Sequence, residues 1–254
     1  MRVRTGAVCL VLLAAGGTAR AQERALYVIH QEHAKPSQVA QYEATTKEFV
    51  AMVTKNKAAM PHFGITTLSS DDFVYTYVAR IPNFGGIDGI LQDFQALGLK
   101  EGAAFADLMR RGGATTDVVR EWVVSYAPEL SYTPASPRLP FAEARYFHYD
   151  TYYLQPGREL EVDALGKEFL ALYKAKNVPN GYRIFRVEMG PEMPAVVVEV
   201  GAKDPADHYT QSVSDRAILG DDGKALFAKA LGMTRRFEQH SAWLRPDLST
   251  PPAR

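Results

Sequence analysis

The stretch "KEFVAM" at residues 47–52 recurs as "KEFLAL" at residues 167–172, 120 residues further along the chain. Three such matches in the same order, at offsets of 118 to 122 residues, indicate an internal duplication. Each copy then holds about 105 to 120 residues, an ordinary size for a domain. The two other matches are "EGAAFA" at 101–106 with "DGKALFA" at 222–228, and "PELS" at 128–131 with "PDLS" at 246–249.

The spacing of apolar residues predicts the same order of elements in both copies. An opening strand precedes a helix, two β-rich runs, two helical pieces and a closing strand, so the pattern is β-α-β-β-α-β twice. This ferredoxin-like order predicts an α+β fold. Prolines that resist helix and central strand mark a linker between the copies. We therefore predict repeat 1 at 24–131, a proline-rich linker at 132–143, repeat 2 at 144–249 and a tail at 250–254.

An antiparallel sheet with helices on one face leaves its other face to be covered, and two copies in one chain can cover each other. This organisation resembles the dimeric α/β-barrel superfamily, with its two subunits fused in tandem. The turn "YYLQPGRELE" from Tyr152 resembles the aromatic-x-Pro-Gly turn of NIPSNAP-like members. Antibiotic-biosynthesis-monooxygenase-like proteins are the second group that the chain resembles. The resemblance implies two sheets packed face to face, with a ligand cavity between the repeats.

Residues 1–21 are typical of a secretory signal peptide. Two arginines precede an apolar run at 6–15, and a small-x-small sequence ends at Ala21. We expect cleavage near Ala21 and export to the periplasm or the extracellular space. Cys9 is the only cysteine in the sequence and lies within this segment. The exported chain would therefore carry no disulfide and no thiol nucleophile.

Charge and composition exclude several classes of partner. The chain has 29 basic and 29 acidic residues, and its 46% hydrophobic and 23% charged residues are typical of a globular protein. A balanced charge without a long basic run argues against nucleic-acid binding. After the signal segment no apolar stretch approaches roughly 18 residues, so we expect no membrane insertion. No phosphate loop, calcium loop, nucleophile elbow or metal-ligand motif assigns a cofactor, and no pattern indicates an oligomeric state.

Two histidine and carboxylate pairs are the strongest candidates for chemistry. His148 and Asp150 lie two residues apart in the predicted opening strand of repeat 2, and His30 and Glu32 have the same spacing in repeat 1. Because side chains alternate along a strand, each pair shares one face. We predict that the two histidines occupy equivalent places. In a functional role the two pairs would form an acid/base couple, or a site of two histidines and two carboxylates for a divalent metal. The alternative is that each histidine only hydrogen-bonds its carboxylate and supports the sheet.

Tyrosines and one further histidine extend the candidate site. Tyrosine combines an apolar ring with a polar tip, which suits a pocket for a small amphipathic molecule, although it also suits strands in general. His240 lies in the closing strand of repeat 2, and closing strands often border the cavity in this superfamily. The candidate ligand-binding residues are Tyr75, Tyr77, Tyr126, Tyr146 and His240.

Two classes of function are compatible with these observations. The first is an exported protein that binds a small apolar or aromatic ligand between its repeats. The second is an enzyme, either a cofactor-independent oxygenase or isomerase that uses a strand histidine as acid/base, or a haem-dependent relative. The resemblance supports both classes, because one fold hosts many chemistries.

Overall fold

Both repeats have the predicted order of elements in the computed structural model, which describes residues 24–190 and 192–253. The predicted signal peptide lies outside the described residues. Repeat 1 contains β1 (Leu26–Ala34), α1 (Val39–Lys55), β2 (Thr66–Ser69), β3 (Val74–Ile81), α2 (Gly86–Glu101), α3 (Ala103–Thr115) and β4 (Thr116–Tyr126). Repeat 2 contains β5 (Tyr146–Leu154), α4 (Glu159–Lys176), β6 (Arg183–Met189), β7 (Ala195–Ala202), α5 (Pro205–Gly232) and β8 (Thr234–Leu244).

The eight strands form one closed antiparallel barrel. Its strand order is β1-β3-β2-β8-β5-β7-β6-β4, and β4 pairs again with β1. The two repeats are joined where β4 pairs with β6 and where β2 pairs with β8. A barrel made of two four-stranded sheets, each with its own helices, confirms the predicted α+β fold with two ferredoxin-like units. No helix among the described residues is long and apolar enough to span a membrane.

Each strand has one face toward the helices and one toward the barrel interior. In β1, Val28 and Ala34 pack with side chains of α1 and α2 in the core of repeat 1. In β5, Phe147 packs inside the barrel, where Leu68 and Ala242 come from the two strands that join the repeats. The alternation that strand geometry imposes thus divides the protein into a barrel interior and two outer layers between sheet and helices.

The repeated Pro-x-Leu-Ser sequences link the repeats by exchanging a leucine. Leu130 follows β4 of repeat 1, yet it lies in the core of repeat 2 and is almost completely buried. Leu248 follows β8 of repeat 2 and is completely buried in the core of repeat 1. Each repeat therefore completes the hydrophobic core of the other.

The serine of each sequence adds a polar contact to the same exchange. The Ser131 hydroxyl accepts a hydrogen bond from the Ile184 N–H at 2.9 Å, and the Ser249 hydroxyl accepts one from the Thr67 N–H at 2.9 Å. Both donors belong to strands of the other repeat. The two Pro-x-Leu-Ser sequences, whose similarity indicates the duplication, thus also form contacts that hold the two repeats together.

The second helical segment is broken at one glycine in each repeat. Gly102 separates α2 from α3 at φ 54°, and Gly220 interrupts α5 at φ 63°. Glycine has no Cβ and adopts positive φ without the steric cost that other residues meet. The matching breaks, 118 residues apart, align the helices of the two repeats and pair Gly102 with Gly220. The match of "EGAAFA" with "DGKALFA", which pairs Gly102 with Gly223, is therefore out of register by three residues.

Candidate functional site

The two histidine pairs are not at equivalent positions, and this part of the prediction is wrong. Leu26 pairs with Ser125, and Tyr146 pairs with Trp243, which sets β1 and β5 in register at an offset of 120 residues. His148 therefore corresponds to Val28, and Asp150 corresponds to His30. Both pairs have the same spacing between histidine and carboxylate. Relative to the pair of repeat 1, the pair of repeat 2 lies two residues nearer the start of its strand.

Both pairs nevertheless lie on the helix-facing side of their strands. The two nitrogens of His30 contact Glu121 at 2.7 Å and Glu32 at 3.0 Å. Glu32 accepts a hydrogen bond from the Tyr42 hydroxyl at 2.6 Å, and Tyr42 in turn hydrogen-bonds Tyr77. The pair of repeat 1 is thus the outer end of a chain of polar groups that leads into a packed core.

Electrostatics favour a charged pair in this place. Burial lowers the pKa of His30, but hydrogen bonds to Glu32 and Glu121 outweigh it, so the pKa lies above its ordinary value. Burial raises the pKa of Glu32, but hydrogen bonds from His30 and Tyr42 bring it below its ordinary value. His30 and Glu32 therefore stabilise each other as an ion pair.

Repeat 2 contains a cavity of about 850 Å³ between its sheet and the helices α4 and α5. The resemblance implied a cavity between the repeats, whereas this cavity lies within the outer layer of one repeat. Its walls are mostly apolar, and one part is polar. The apolar part includes Leu130, Tyr152, Val162, Leu165, Phe169, Tyr173, Tyr182, Val196, Val198 and Phe237, and the polar part includes His148, Asp150, His208, Asp215, Gln239 and Ser241.

Small residues replace aromatic ones at several matching positions of this layer. In repeat 1 the same layer is filled by rings that stack or meet edge to face, such as Phe49 with Phe94 and Phe63 with Phe94. The repeat alignment then shows five losses of a ring in repeat 2. Tyr42, Tyr75, Tyr77, Phe94 and Phe105 correspond to Val162, Val196, Val198, Ser212 and Gly223.

His148 is the centre of the polar part. Its Nε2 lies 3.1 Å from Asp150 Oδ1, and its Nδ1 lies 2.9 Å from the Ser241 hydroxyl. The Gln239 amide donates a hydrogen bond to the same Asp150 oxygen at 2.8 Å. Because an ionised carboxylate only accepts, Nε2 of His148 carries the proton and Nδ1 accepts from Ser241. Nδ1 is thus a position where a proton can be taken up.

His208 covers the other side of this imidazole. Its ring stacks on that of His148 with centroids 4.3 Å apart and planes 26° apart, and the side chain is buried. Burial, reinforced by the nearby His148, lowers the pKa of His208 to about 4. His208 is therefore neutral near pH 7 and lies where a ligand would meet it.

The sequence analysis missed His208 because a histidine at a helix start is usually solvated. Alignment of α2 with α5 places His208 at the position of Ile90, and it places Ser212 and Asp215 at those of Phe94 and Leu97. These are core-facing positions in repeat 1. Polar residues at positions that face a core in the sister repeat were the available signal.

The tyrosine candidates are distributed over three regions. Tyr75 and Tyr77 are buried in the core of repeat 1 and do not line the cavity. Tyr126 borders a smaller pocket of about 310 Å³ beneath the linker. Tyr146 packs against His208 and Trp243 behind the polar part of the cavity.

His240 lines the cavity, but its side chain is 58% exposed and lies 3.6 Å from Glu238. Within residues 24–190 and 192–253, no group of three or more histidine, cysteine or acidic side chains is arranged to hold a metal ion. The polar part of the cavity combines imidazole, carboxyl, hydroxyl and amide groups, and the basic side chains of Arg138, Arg216 and Lys224 also border the cavity.

The closed barrel of two ferredoxin-like units has the dimeric α/β-barrel fold, and solved members of that superfamily match it. An anthrone oxidase-like protein superposes with a TM-score of 0.58 at 12% identity, covering 88% of this chain and 92% of that one. A candidate monooxygenase from Lactobacillus acidophilus NCFM gives 0.51 at 8% identity, covering 90% and 96%. A chlorite dismutase variant from Candidatus Nitrospira defluvii, in complex with cyanide, gives 0.53 at 11% identity, covering 89% and 93%.

These identities show a shared fold and nothing finer. No protein-family model matches the sequence, and no curated protein matches it. The narrower resemblance to NIPSNAP-like or antibiotic-biosynthesis-monooxygenase-like proteins therefore stays a prediction.

Proposed function

We propose that this chain is an oxygenase-like enzyme that binds a flat, largely apolar molecule in the cavity of repeat 2 and removes a proton from it with His148. The observation that carries this proposal is the His148 and Asp150 couple in the wall of an otherwise apolar cavity. Enzymes commonly use such a couple as a general base, and a cavity of this size and character suits a small ligand.

The proposed step uses groups that already contact one another. Asp150 holds the Nε2 proton of His148, and Gln239 holds Asp150. A ligand proton then reaches Nδ1 through the Ser241 hydroxyl, which contacts Nδ1 and also lines the cavity. Neutral His208 donates or accepts a hydrogen bond at the oxygen of the ligand without adding a charge. The deprotonated ligand is the species that reacts with molecular oxygen.

Anthrone is a suitable probe, because it is flat and has an acidic C–H bond. Loss of that proton gives an anion that reacts with O2, and loss of water then leaves the quinone, so one O2 is consumed for each quinone formed. Oxygen uptake and quinone absorbance measure turnover. We expect His148→Gln to lower the rate about 10²- to 10⁴-fold, the usual range for loss of a general base.

His30→Gln is the matched control. This variant removes a histidine that has the same spacing to a carboxylate but lies in repeat 1. Because His30 does not line the cavity, its loss should leave turnover unchanged. Equal turnover of wild type and His148→Gln would contradict the role of the base. Binding of anthrone without any oxygen uptake would favour the alternative, a ligand-binding protein without catalytic activity.

A haem-dependent relative is a second candidate, and His208 is the residue that favours it. Among the described residues no protein hydrogen bond engages its ring nitrogens, and a neutral imidazole next to apolar walls can hold haem iron. Bound haem would supply one-electron and O2 chemistry. Titration with hemin tests this candidate: a Soret band that His208→Gln abolishes would support it, and an unchanged free-hemin spectrum with the wild type would contradict it.

Export before function is a further proposal, and it rests on residues 1–21 of the sequence. N-terminal sequencing of the protein recovered outside the cytoplasm should begin near Gln22. Recovery with residues 1–21 intact would contradict cleavage.

A further inference from the structure

Helix α5 of repeat 2 carries polar side chains at positions where the matching helix α2 of repeat 1 carries core side chains. Ile90, Phe94 and Leu97 of α2 pack with the core of repeat 1, and Leu97 is almost completely buried. The corresponding residues of α5 are His208, Ser212 and Asp215, and all three line the cavity. A carboxyl group at the place of a buried leucine costs stability, so packing alone does not account for Asp215.

Asp215 is held in place by the amide of Asn180. This amide donates to Asp215 Oδ1 at 2.8 Å, while the Asn180 carbonyl oxygen accepts from Arg138 Nε at 2.9 Å. Arg138 is also bound to Asp207 at 3.0 Å, so its charge is already compensated. Asp215 thus has a positioned carboxyl group and no direct ion pair among the described residues, although the charge of Arg138 lies near enough to act on it.

The surroundings of Asp215 compensate its charge only in part. Burial raises the pKa of this carboxyl above its ordinary value, and the hydrogen bond from Asn180 and the charge of Arg138 oppose the shift without cancelling it. The pKa of Tyr173 is raised first by burial and then by the charges of Asp215 and Asp150. Arg216, the next residue on α5, also borders the cavity, but its side chain is exposed and forms no ion pair with Asp215 among the described residues. The ring of Tyr173 therefore lies near both carboxyl groups.

We propose that Asp215 binds a protonated amine, so that the ligand of the repeat 2 cavity is a cationic aromatic compound. A carboxylate that has no direct ion pair and lies beside apolar and aromatic walls is a favourable place for a cationic ligand group, and a tyrosine ring adds a cation–π contact. This inference rests on the proposed function and names the class of compound that the site takes.

The helix also sets the size of that compound. His208 and Asp215 are seven residues apart, which is two turns on the same face and about 10 Å along the axis. A ligand whose amine reaches Asp215 while its reacting end meets His148 and His208 must be about that long. Three fused rings with an amine substituent satisfy this distance.

Three tricyclic probes of similar shape test the proposal by fluorescence titration. They are 9-aminoacridine, which is cationic, acridone, which is neutral, and 9-anthracenecarboxylate, which is anionic. We expect the wild type to bind 9-aminoacridine about tenfold or more tightly than acridone, and 9-anthracenecarboxylate most weakly, as a charge-assisted hydrogen bond predicts. Asp215→Asn should abolish the preference for the cation while acridone binding stays unchanged.

Asp222→Asn is the matched control, because Asp222 lies on the same helix but pairs with Lys176 at the surface. Its preference for the cation should equal that of the wild type. If Asp215→Asn is poorly folded, Asp215→Leu restores the residue type of repeat 1 and serves instead. Equal affinity of the wild type for 9-aminoacridine and acridone, or a preference that Asp215→Asn retains, would overturn the inference alone. Failure of all three probes to bind would instead contradict the proposed function of the cavity.

Discussion

The two repeats have one fold, but they use the layer between sheet and helices in different ways. Repeat 1 fills that layer with rings and with a closed chain of hydrogen bonds from His30 to Tyr77. Repeat 2 leaves a cavity of about 850 Å³ there and lines one part of it with polar groups. If the proposed function is right, repeat 1 supplies stability and repeat 2 supplies the site. A duplication permits this division, because the barrel and the exchanged leucines keep both repeats in one folding unit.

The largest effect on the free energy of unfolding should come from placing an aspartate, the residue found at position 215 of repeat 2, at the matching position of repeat 1. Leu97→Asp places a carboxyl group without a partner in the core of repeat 1. At the matching position of repeat 2, Asp215 is tolerated because it faces a cavity. We expect a loss of more than about 4 kcal/mol in the free energy of unfolding, measured by urea denaturation. Leu99→Asp, two residues away and 88% exposed, should change it by less than about 0.5 kcal/mol. A loss below about 1 kcal/mol for Leu97→Asp would show that repeat 1 is not closely packed.

A smaller effect should distinguish the two exchanged leucines. Leu248→Ala opens a space in the filled core of repeat 1, and we expect a cost of about 3–5 kcal/mol. Leu130→Ala acts on a side chain that already borders the cavity of repeat 2, so fewer contacts are lost and we expect about 2–3 kcal/mol. Thermal and urea unfolding of both variants measure the difference. Equal costs would contradict the view that the two layers are packed differently.

The stability of the wild type and that of the His208→Gln variant should depend differently on pH. Its pKa of about 4 lies below the ordinary value near 6.5, so the unfolded chain binds a proton that the folded chain resists. The wild type should lose stability from this group as the pH falls from 6.5 toward 4. His208→Gln should lose about 1–2 kcal/mol less than the wild type between pH 7 and 4.5. Parallel curves for both proteins would show that His208 is hydrated rather than buried.

Sequence alone predicted the fold well, because the fold depends on features that are local and repeated. The strand and helix periods, together with the sequence matches between the copies, were sufficient for a β-α-β-β-α-β order in both copies. The packing of one sheet against the other was expected because each sheet needs a cover for its open face. The broken helices could also be seen as two pieces in each copy, and Gly102 and Gly220 are the physical cause.

The candidate site was predicted only in part, for reasons of register and volume. The shared spacing of His30 and His148 is visible in the sequence, but strand pairing is needed to see that the two pairs are displaced by two residues. The cavity depends on the differences between matching positions, such as Tyr77 and Val198, which become visible only once the repeats are aligned by structure. The role of His208 also becomes visible only after that alignment, because its counterpart Ile90 packs against a core.

The smallest effect on stability should come from His30. Its contribution should be lost as the pH rises, whereas the destabilisation that His208 causes appears as the pH falls. The pKa of His30 is raised in the folded state, so its contribution to stability is complete below about pH 6.5 and is lost as the pH rises through the folded pKa. His30→Gln should therefore be less stable than the wild type at pH 5.5, by under about 1 kcal/mol because the side chain is one-third exposed, and equal to it at pH 8.5. Urea titrations at the two pH values measure this, with Glu121→Gln as a partner variant that removes one of the two carboxylates. A penalty that grows with pH would mean that His30 is neutral in the folded protein. The contrast with the cavity histidine would then come from burial alone, without a contribution from ion pairing.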